Sequence, residues 1–165
     1  GRGFGKTRAG AEWVRGLVET GVAKRIALIA PTLHDARAVM VEGDSGLMAI
    51  CPPWFMPKYE PSKRTLTWPN GAIATLFGAE EPERLRGPQH DAVWCDELCA
   101  WKQAEMTFDM MLFGLRLGRK PRALITTTPR PIPLLKRLAA GKKTVITKGT
   151  TLWRATKVRA LDGRN

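Results

Sequence analysis

The sequence is poor in the residues that build metal sites, disulfide frameworks and membrane spans. It has two histidines, His34 and His90, and three cysteines, Cys51, Cys95 and Cys99, and their spacing matches no metal-binding pattern. An odd number of cysteines is typical of a reducing compartment and predicts a cytoplasmic protein. No apolar run approaches the roughly 18 residues of a membrane helix, and the N-terminus shows no signal-peptide pattern. We therefore expect neither a membrane-embedded protein nor a small secreted domain.

Acidic residues are almost missing from the last third of the chain. Residues 1–115 contain 13 Lys or Arg and 14 Asp or Glu, whereas residues 116–165 contain 14 Lys or Arg and the single acid Asp162. A concentrated positive charge neutralises phosphates and releases their counterions, so it indicates nucleic acid as a partner. The alternative is that acids elsewhere in a longer protein balance this charge.

Segments of helical and strand periodicity alternate along the chain and predict an α/β fold with a mostly parallel central sheet covered by helices. Asn70-Gly71 lies between two β-type runs and predicts a β-hairpin excursion from that sheet. The proline-rich residues 52–61 are expected to be an irregular surface segment. The predicted helices are residues 7–20, 32–41, 101–115 and 132–140, and the predicted strands are residues 25–30, 64–68, 72–77, 92–95, 122–126 and 143–147.

The chain begins with Gly-Arg-Gly-Phe-Gly-Lys-Thr-Arg, in which Gly5, Lys6 and Thr7 fill the last three positions of the phosphate-loop pattern G-x-x-x-x-G-K-[ST]. Backbone amides at the start of the following helix would surround phosphate oxygens. Lys6 would bridge the β- and γ-phosphates, and the Thr7 hydroxyl would bind Mg²⁺. A glycine-rich start of a helix that binds no nucleotide is the alternative. The expected nucleotide-binding residues are Gly3, Phe4, Gly5, Lys6, Thr7 and Arg8.

A second motif is the apolar run 92–95, which ends in Asp96 and Glu97. A carboxylate at the end of a buried strand can hold Mg²⁺, which is the role expected of Asp96. The next acid can polarise an attacking water, which is the role expected of Glu97. Adjacent side chains on a strand point in opposite directions, so the two acids can do different work. An ordinary solvated acidic pair is the alternative.

Two further groups complete the candidate site. Thr126, Thr127 and Thr128 follow a predicted strand, where their hydroxyls could sense the γ-phosphate, unless they form an ordinary polar loop. Arg2 lies inside the phosphate loop and could reach the γ-phosphate. Arg84 and Arg86 precede the two-acid strand and could act in trans as an arginine finger, or could be salt-bridged loop charges.

The order of residues 1–8, 83–89, 93–97 and 126–129 closely resembles that of the ATPase half of the large terminase subunit of tailed bacteriophages, prophages and gene transfer agents. The resemblance implies a P-loop NTPase fold and a motor that uses ATP and Mg²⁺ to drive double-stranded DNA into a procapsid. It implies that Asp96 serves Mg²⁺, that Glu97 is catalytic and that Thr126, Thr127 and Thr128 couple hydrolysis to movement. It also favours Arg86 over Arg84 as the trans finger.

The same resemblance implies a homo-oligomeric ring that works with a portal protein and a small terminase subunit in the bacterial host cytoplasm. Residues 1–165 are then expected to be part of an N-terminal ATPase domain, with its first strand before residue 1 and the nuclease domain of the family outside this chain. A helicase-like nucleic-acid-dependent ATPase and a degenerate, non-catalytic DNA-binding fragment are the alternatives. A small-molecule phosphotransferase is disfavoured, because Glu97 suits water as the attacking group and the basic excess would have no use.

Overall fold

A six-stranded sheet with helices on both faces organises the chain, as a computed structural model shows for residues 3–149. The strands are β1 (Arg25–Ala30), β2 (Lys58–Glu60), β3 (Thr65–Thr67), β4 (Ile73–Gly78), β5 (Ala92–Asp96) and β6 (Arg122–Thr126). The helices are α1 (Lys6–Glu19), α2 (Leu33–Asp35), α3 (Leu47–Ile50), α4 (Ala104–Gly114) and α5 (Pro133–Ala139). A π-helical turn, Ala36–Val41, continues α2, so the predicted helix over residues 32–41 is present in altered form.

The strand order is β2-β3-β4-β1-β5-β6. Strands β4, β1, β5 and β6 run parallel, whereas β2 and β3 add to β4 as antiparallel strands. In this register Ala30 pairs with Gly78, and Asp96 pairs with Thr126. The carboxyl ends of the parallel strands therefore meet at one edge of the sheet, and the predicted α/β class is confirmed.

Successive side chains of β1 and β5 point to opposite faces of the sheet, so the core consists of two layers. Leu28 and Trp94 face the layer that contains Val14 of α1, whereas Ile29 and Val93 face the layer that contains residues of α4 and α5. All four of these strand residues are fully buried. Strands covered on both faces read as continuous apolar runs, which is why β1 and β5 could be located from sequence.

The predicted hairpin is confirmed by β3 and β4. Gly71 has a φ of 83°, which a residue without Cβ adopts at little cost. The Asn70 side chain accepts a hydrogen bond from the Ala72 amide at 3.2 Å and donates one to the Val18 carbonyl at 2.8 Å. The bond to Val18 attaches the turn to the last turn of α1, whereas the bond from Ala72 lies within the turn itself.

Two expectations about single elements are incomplete. The proline-rich segment contains the short edge strand β2, which lies between Pro57 and Pro61 and includes no proline itself. Helix α4 begins three residues after Trp101 and ends before Leu115, so it is shorter than the helix predicted over residues 101–115. Trp101 instead donates its indole N–H to the Asp96 carbonyl at 3.0 Å, which holds it outside the helix.

The strand predicted over residues 143–147 is wrong. These residues form no strand, and Val145 is 94% exposed. β-branched residues alone do not make a strand, since the segment also needs a sheet edge to pair with. Strand β6 is present as predicted, but only Thr126 of its five residues is buried, because the strand lies at the edge of the described sheet.

Within residues 3–149, no helix is long and apolar enough to cross a bilayer.

Candidate active site

The phosphate-loop residues lead directly into α1, whose first residue is Lys6. Gly3 and Gly5 have φ angles of 79° and 80°, a conformation that glycine adopts without strain. The first amides of a helix have no acceptor within it, and the helix dipole places partial positive charge there. No acidic side chain lies in the first turn of α1. The start of the helix therefore favours an anion, as the sequence predicts.

Lys6 brings three of the predicted motifs together. Its Nζ lies 3.1 Å from Glu97 Oε1 and 3.1 Å from Thr128 Oγ1, and its side chain is 16% exposed. The phosphate loop, the end of β5 and the turn after β6 thus converge around one ammonium group. Thr7 follows in the same turn of α1 and is half-buried.

Glu97 follows β5 in a conformation that is rare for a residue with a Cβ, with a φ of 45°. Its Oε2 accepts the Thr128 amide at 3.0 Å, and its Oε1 accepts the Thr128 hydroxyl at 3.3 Å. Burial raises the pKa of the Glu97 carboxyl, but the Thr128 amide and the Lys6 ammonium outweigh this effect and hold the pKa below its ordinary value. Glu97 is consequently ionised at neutral pH.

Asp96 occupies a different environment from its neighbour. It is 5% exposed, and its Oδ1 accepts the Thr126 hydroxyl at 2.6 Å. Burial raises the pKa of the Asp96 carboxyl above its ordinary value, and the hydrogen bond from Thr126 opposes this only in part. The two acids thus have separate partners, as their opposite directions on the strand predict.

These residues fit Mg²⁺ in the form in which phosphate-processing sites bind it. Among residues 3–149, no cluster of three or more His, Cys, Asp or Glu could enclose a metal ion. Mg²⁺ does not need such a cage, because it is usually held by one or two carboxylates together with substrate phosphates and water. The buried Asp96 carboxylate and the Thr7 hydroxyl are oxygen donors of the required kind.

The threonine triplet divides into three different local roles. Thr126 bonds to Asp96, and Thr127 accepts the Cys99 amide at 3.0 Å. Only Thr128 contacts both Lys6 and Glu97. The sequence predicts one shared role for the three hydroxyls. It gives no sign that Cys99 and Trp101 contact this region, because Cys99 does so through its backbone amide and Trp101 through its indole N–H.

Three of the predicted arginines form ion pairs with glutamates of their own segments. Arg86 forms an ion pair with Glu83 at 2.9 Å, and its side chain is 70% exposed. Arg84 pairs with Glu81 at 2.8 Å. Both arginines therefore form the loop salt bridges that the sequence analysis gave as the alternative to a finger. Arg8 pairs with Glu12 at 2.8 Å along α1. Arg2 lies outside the described residues.

Phe4, predicted to contact nucleotide, is 43% exposed. It also lies against Gly149, where an added Cβ would be 1.8 Å from the Phe4 ring. The chain after α5 therefore returns to the phosphate loop.

A glycine loop that leads into a helix, facing a buried strand that ends in two carboxylates, defines the class of P-loop nucleoside triphosphatases. The sequence matches the family "Terminase large subunit, T4likevirus-type, N-terminal" over residues 1–165, and the chain belongs to this family. The resemblance found in the motifs is thereby confirmed. Proteins of this family are ATPases of phage DNA packaging. A comparison with curated protein sequences finds no match.

Among solved structures, the chain is similar to the large terminase ATPase domain of Thermus phage P74-26, with 21% sequence identity and a TM-score of 0.55. An arginine-to-alanine mutant of the same domain gives 20% identity and a TM-score of 0.56. Each match covers 84% of this chain and 61% of the other. At this identity the likeness establishes the fold, which is that of a P-loop NTPase.

Proposed function

We propose that this chain is the Mg²⁺-dependent ATPase motor domain of a terminase that packages double-stranded phage DNA. The observation that carries the proposal is the convergence of Lys6, Glu97 and Thr128 within 3.3 Å contacts at the carboxyl edge of the sheet. A cation, an ionised carboxylate and the start of a helix at one point are what hydrolysis of a phosphoanhydride requires.

In the proposed reaction, Lys6 and the first amides of α1 bind the β- and γ-phosphates of ATP. Thr7 and Asp96 would hold Mg²⁺, which when bound compensates the negative charge of the phosphates. Glu97 accepts a proton from the attacking water while the water oxygen bonds to the γ-phosphorus. The bond from that phosphorus to the bridging oxygen breaks, and ADP and inorganic phosphate leave.

We assign the binding of double-stranded DNA to the basic part of the chain. Residues 116–149 contain ten Lys or Arg, all of them exposed, and no acid. Such a surface binds the phosphate backbone without regard to sequence, as a translocating motor must. We further propose that Thr126, Thr127 and Thr128 couple loss of the γ-phosphate to movement of this basic part.

Membership in the family and one surface feature support a proposal for the assembly. We assign Arg86, whose side chain is 70% exposed, to act on another subunit as an arginine finger, and Arg2 to the γ-phosphate. We assign the chain to a homo-oligomeric ring that acts with the portal protein and the small terminase subunit, in the host cytoplasm at the procapsid. In this proposal the ring uses ATP hydrolysis to translocate DNA into the procapsid.

The test is MgATP hydrolysis and nucleotide binding by the purified chain, with and without duplex DNA. Glu97→Gln removes the proton acceptor and should lower hydrolysis by roughly 10²–10⁴-fold while a fluorescent ATP analogue still binds. Lys6→Ala should abolish both. The control Glu42→Gln changes an exposed carboxylate paired with Arg37 and should leave both unchanged.

Hydrolysis that survives both Lys6→Ala and Glu97→Gln would refute the assignment. Nucleotide binding without hydrolysis in any condition, together with binding of duplex DNA, would favour a degenerate DNA-binding protein.

A further inference from the structure

A buried hydrogen-bond chain leads to Asp96 from inside the sheet. Trp94 is fully buried, and its indole Nε1 donates to Thr126 Oγ1 at 2.8 Å. Thr126 Oγ1 in turn donates to Asp96 Oδ1 at 2.6 Å. Trp94 lies in the strand that ends in the two acids, but the motif assigns no role to its side chain. Its indole is nevertheless linked to the proposed metal carboxylate through a single hydroxyl.

The direction of this chain is fixed by its first member. An indole N–H can only donate, and a threonine hydroxyl has one proton and two lone pairs. With one lone pair of Thr126 occupied by the indole, its proton is left for an acceptor. The Cys95 carbonyl lies 3.4 Å away and is a weaker alternative than Asp96. Trp94 therefore keeps the Thr126 proton directed at Asp96.

The same indole contacts the helix that follows the phosphate loop. A Cβ built on Gly10 would lie 2.1 Å from Trp94 Cε2 and 2.6 Å from Trp94 Nε1. Only glycine at position 10 lets the backbone of α1 approach the ring this closely. The indole thus spans the distance between α1, which begins at Lys6, and the tip of β6, which holds Thr126.

We propose that Trp94, seated against Gly10, is a positioning residue that fixes Asp96 for Mg²⁺ relative to the phosphate loop. It acts through Thr126 and touches neither nucleotide nor metal. This inference rests on the proposed function, since it assigns the metal to Asp96. Groups that orient a metal ligand typically change metal affinity by 10- to 100-fold when removed.

The first test measures Mg²⁺ dependence of nucleotide binding with a fluorescent ADP analogue. Trp94→Phe removes the N–H and should weaken apparent Mg²⁺ affinity about tenfold, without changing nucleotide affinity in the absence of Mg²⁺. Thr126→Val should have the same effect, Thr126→Ser should restore wild-type behaviour, and combining Trp94→Phe with Thr126→Val should add little. Gly10→Ala should reproduce the loss by displacing the indole.

The matched control is Trp68→Phe. Trp68 is 2% exposed in the same core layer, but it lies at the hairpin turn, where the parallel strands begin rather than end. Equal losses in Trp94→Phe and Trp68→Phe would show a packing effect and overturn the proposal, as would an unchanged Mg²⁺ affinity in Trp94→Phe. A wild-type chain that binds no nucleotide would instead overturn the proposed function.

A second measurement needs no nucleotide. The indole N–H resonance of Trp94 should move in Thr126→Val and in Asp96→Asn, and should stay in place in Trp68→Phe. An indole resonance unaffected by Thr126→Val would refute the hydrogen-bond chain itself, whether or not Trp94→Phe folds.

Discussion

The backbone conformation of Glu97 predicts that glycine is more stable than alanine at this position, the reverse of the usual order. Its φ of 45° places a residue with a Cβ in the left-handed region, which costs roughly 1–2 kcal/mol. Glu97→Ala and Glu97→Gly remove the same contacts with Lys6 and Thr128, so the stability difference between them isolates the backbone effect. Glycine has no Cβ clash there, but it loses about 0.5–1 kcal/mol more conformational entropy on folding than alanine. Glu97→Gly should therefore be more stable than Glu97→Ala by roughly 0.5–1 kcal/mol.

A matched pair on α4 should give the opposite sign. Asp109 is an exposed helical residue paired with Arg137 at 3.4 Å, and its helical backbone carries no such strain. Asp109→Gly should be less stable than Asp109→Ala by about 1 kcal/mol, the usual cost of glycine in a helix. Urea unfolding of the four variants measures both differences, provided that their m-values agree. If glycine is the less stable choice at both positions, Glu97 is not held in a strained conformation and the reasoning fails.

Three further predictions concern charge. Burial lowers the pKa of His90 to about 4. The free energy of unfolding should therefore fall as the pH drops from about 6.5 towards 4, by up to about 1.4 kcal/mol per pH unit. Unfolding curves of His90→Leu should show a weaker dependence of stability on pH over this range. Asp96→Asn should raise the melting temperature of the nucleotide-free chain at pH 7 while abolishing Mg²⁺-dependent nucleotide binding. The gain should shrink as the pH falls towards 3.8, the ordinary pKa of the group, because the pKa of Asp96 is raised in the folded state and wild type regains stability on protonation. Replacing exposed Lys142 and Lys143 by Gln should reduce the salt dependence of duplex binding by about one unit of slope each in anisotropy titrations, whereas Lys102→Gln should not.

Elements buried on both faces could be predicted from the sequence. Strands β1 and β5 are continuous apolar runs with polar ends, and the hairpin is marked by Asn70 and Gly71. In these segments the local pattern and the tertiary environment favour the same structure. The two-acid strand and the phosphate loop could likewise be located, because each follows or precedes a regular element at a fixed spacing.

Other features depend on partners that the local sequence does not reveal. Residues 143–147 have a β-type composition but lack a strand to pair with among the described residues, whereas Lys58–Glu60 has little β character and forms β2 because the free edge of β3 accepts it. The different roles of the threonines arise from the same kind of cause. Asp96 pairs in register with Thr126, and this register alone decides which hydroxyl reaches the buried carboxylate.

The contacts of Glu97 also indicate how nucleotide binding would activate it. In this structure Lys6 neutralises Glu97 at 3.1 Å, and this ion pair contributes to the low pKa of the carboxyl. A triphosphate carries more negative charge than one carboxylate, so in the proposed reaction it competes successfully for Lys6. Glu97 keeps the Thr128 amide and stays in position, but its pKa rises towards the ordinary value once the ammonium turns to the phosphates. In the proposed reaction the carboxylate would therefore be a stronger base only when ATP is bound and the γ-phosphate is available to the attacking water, which would limit unproductive proton transfer in the empty site.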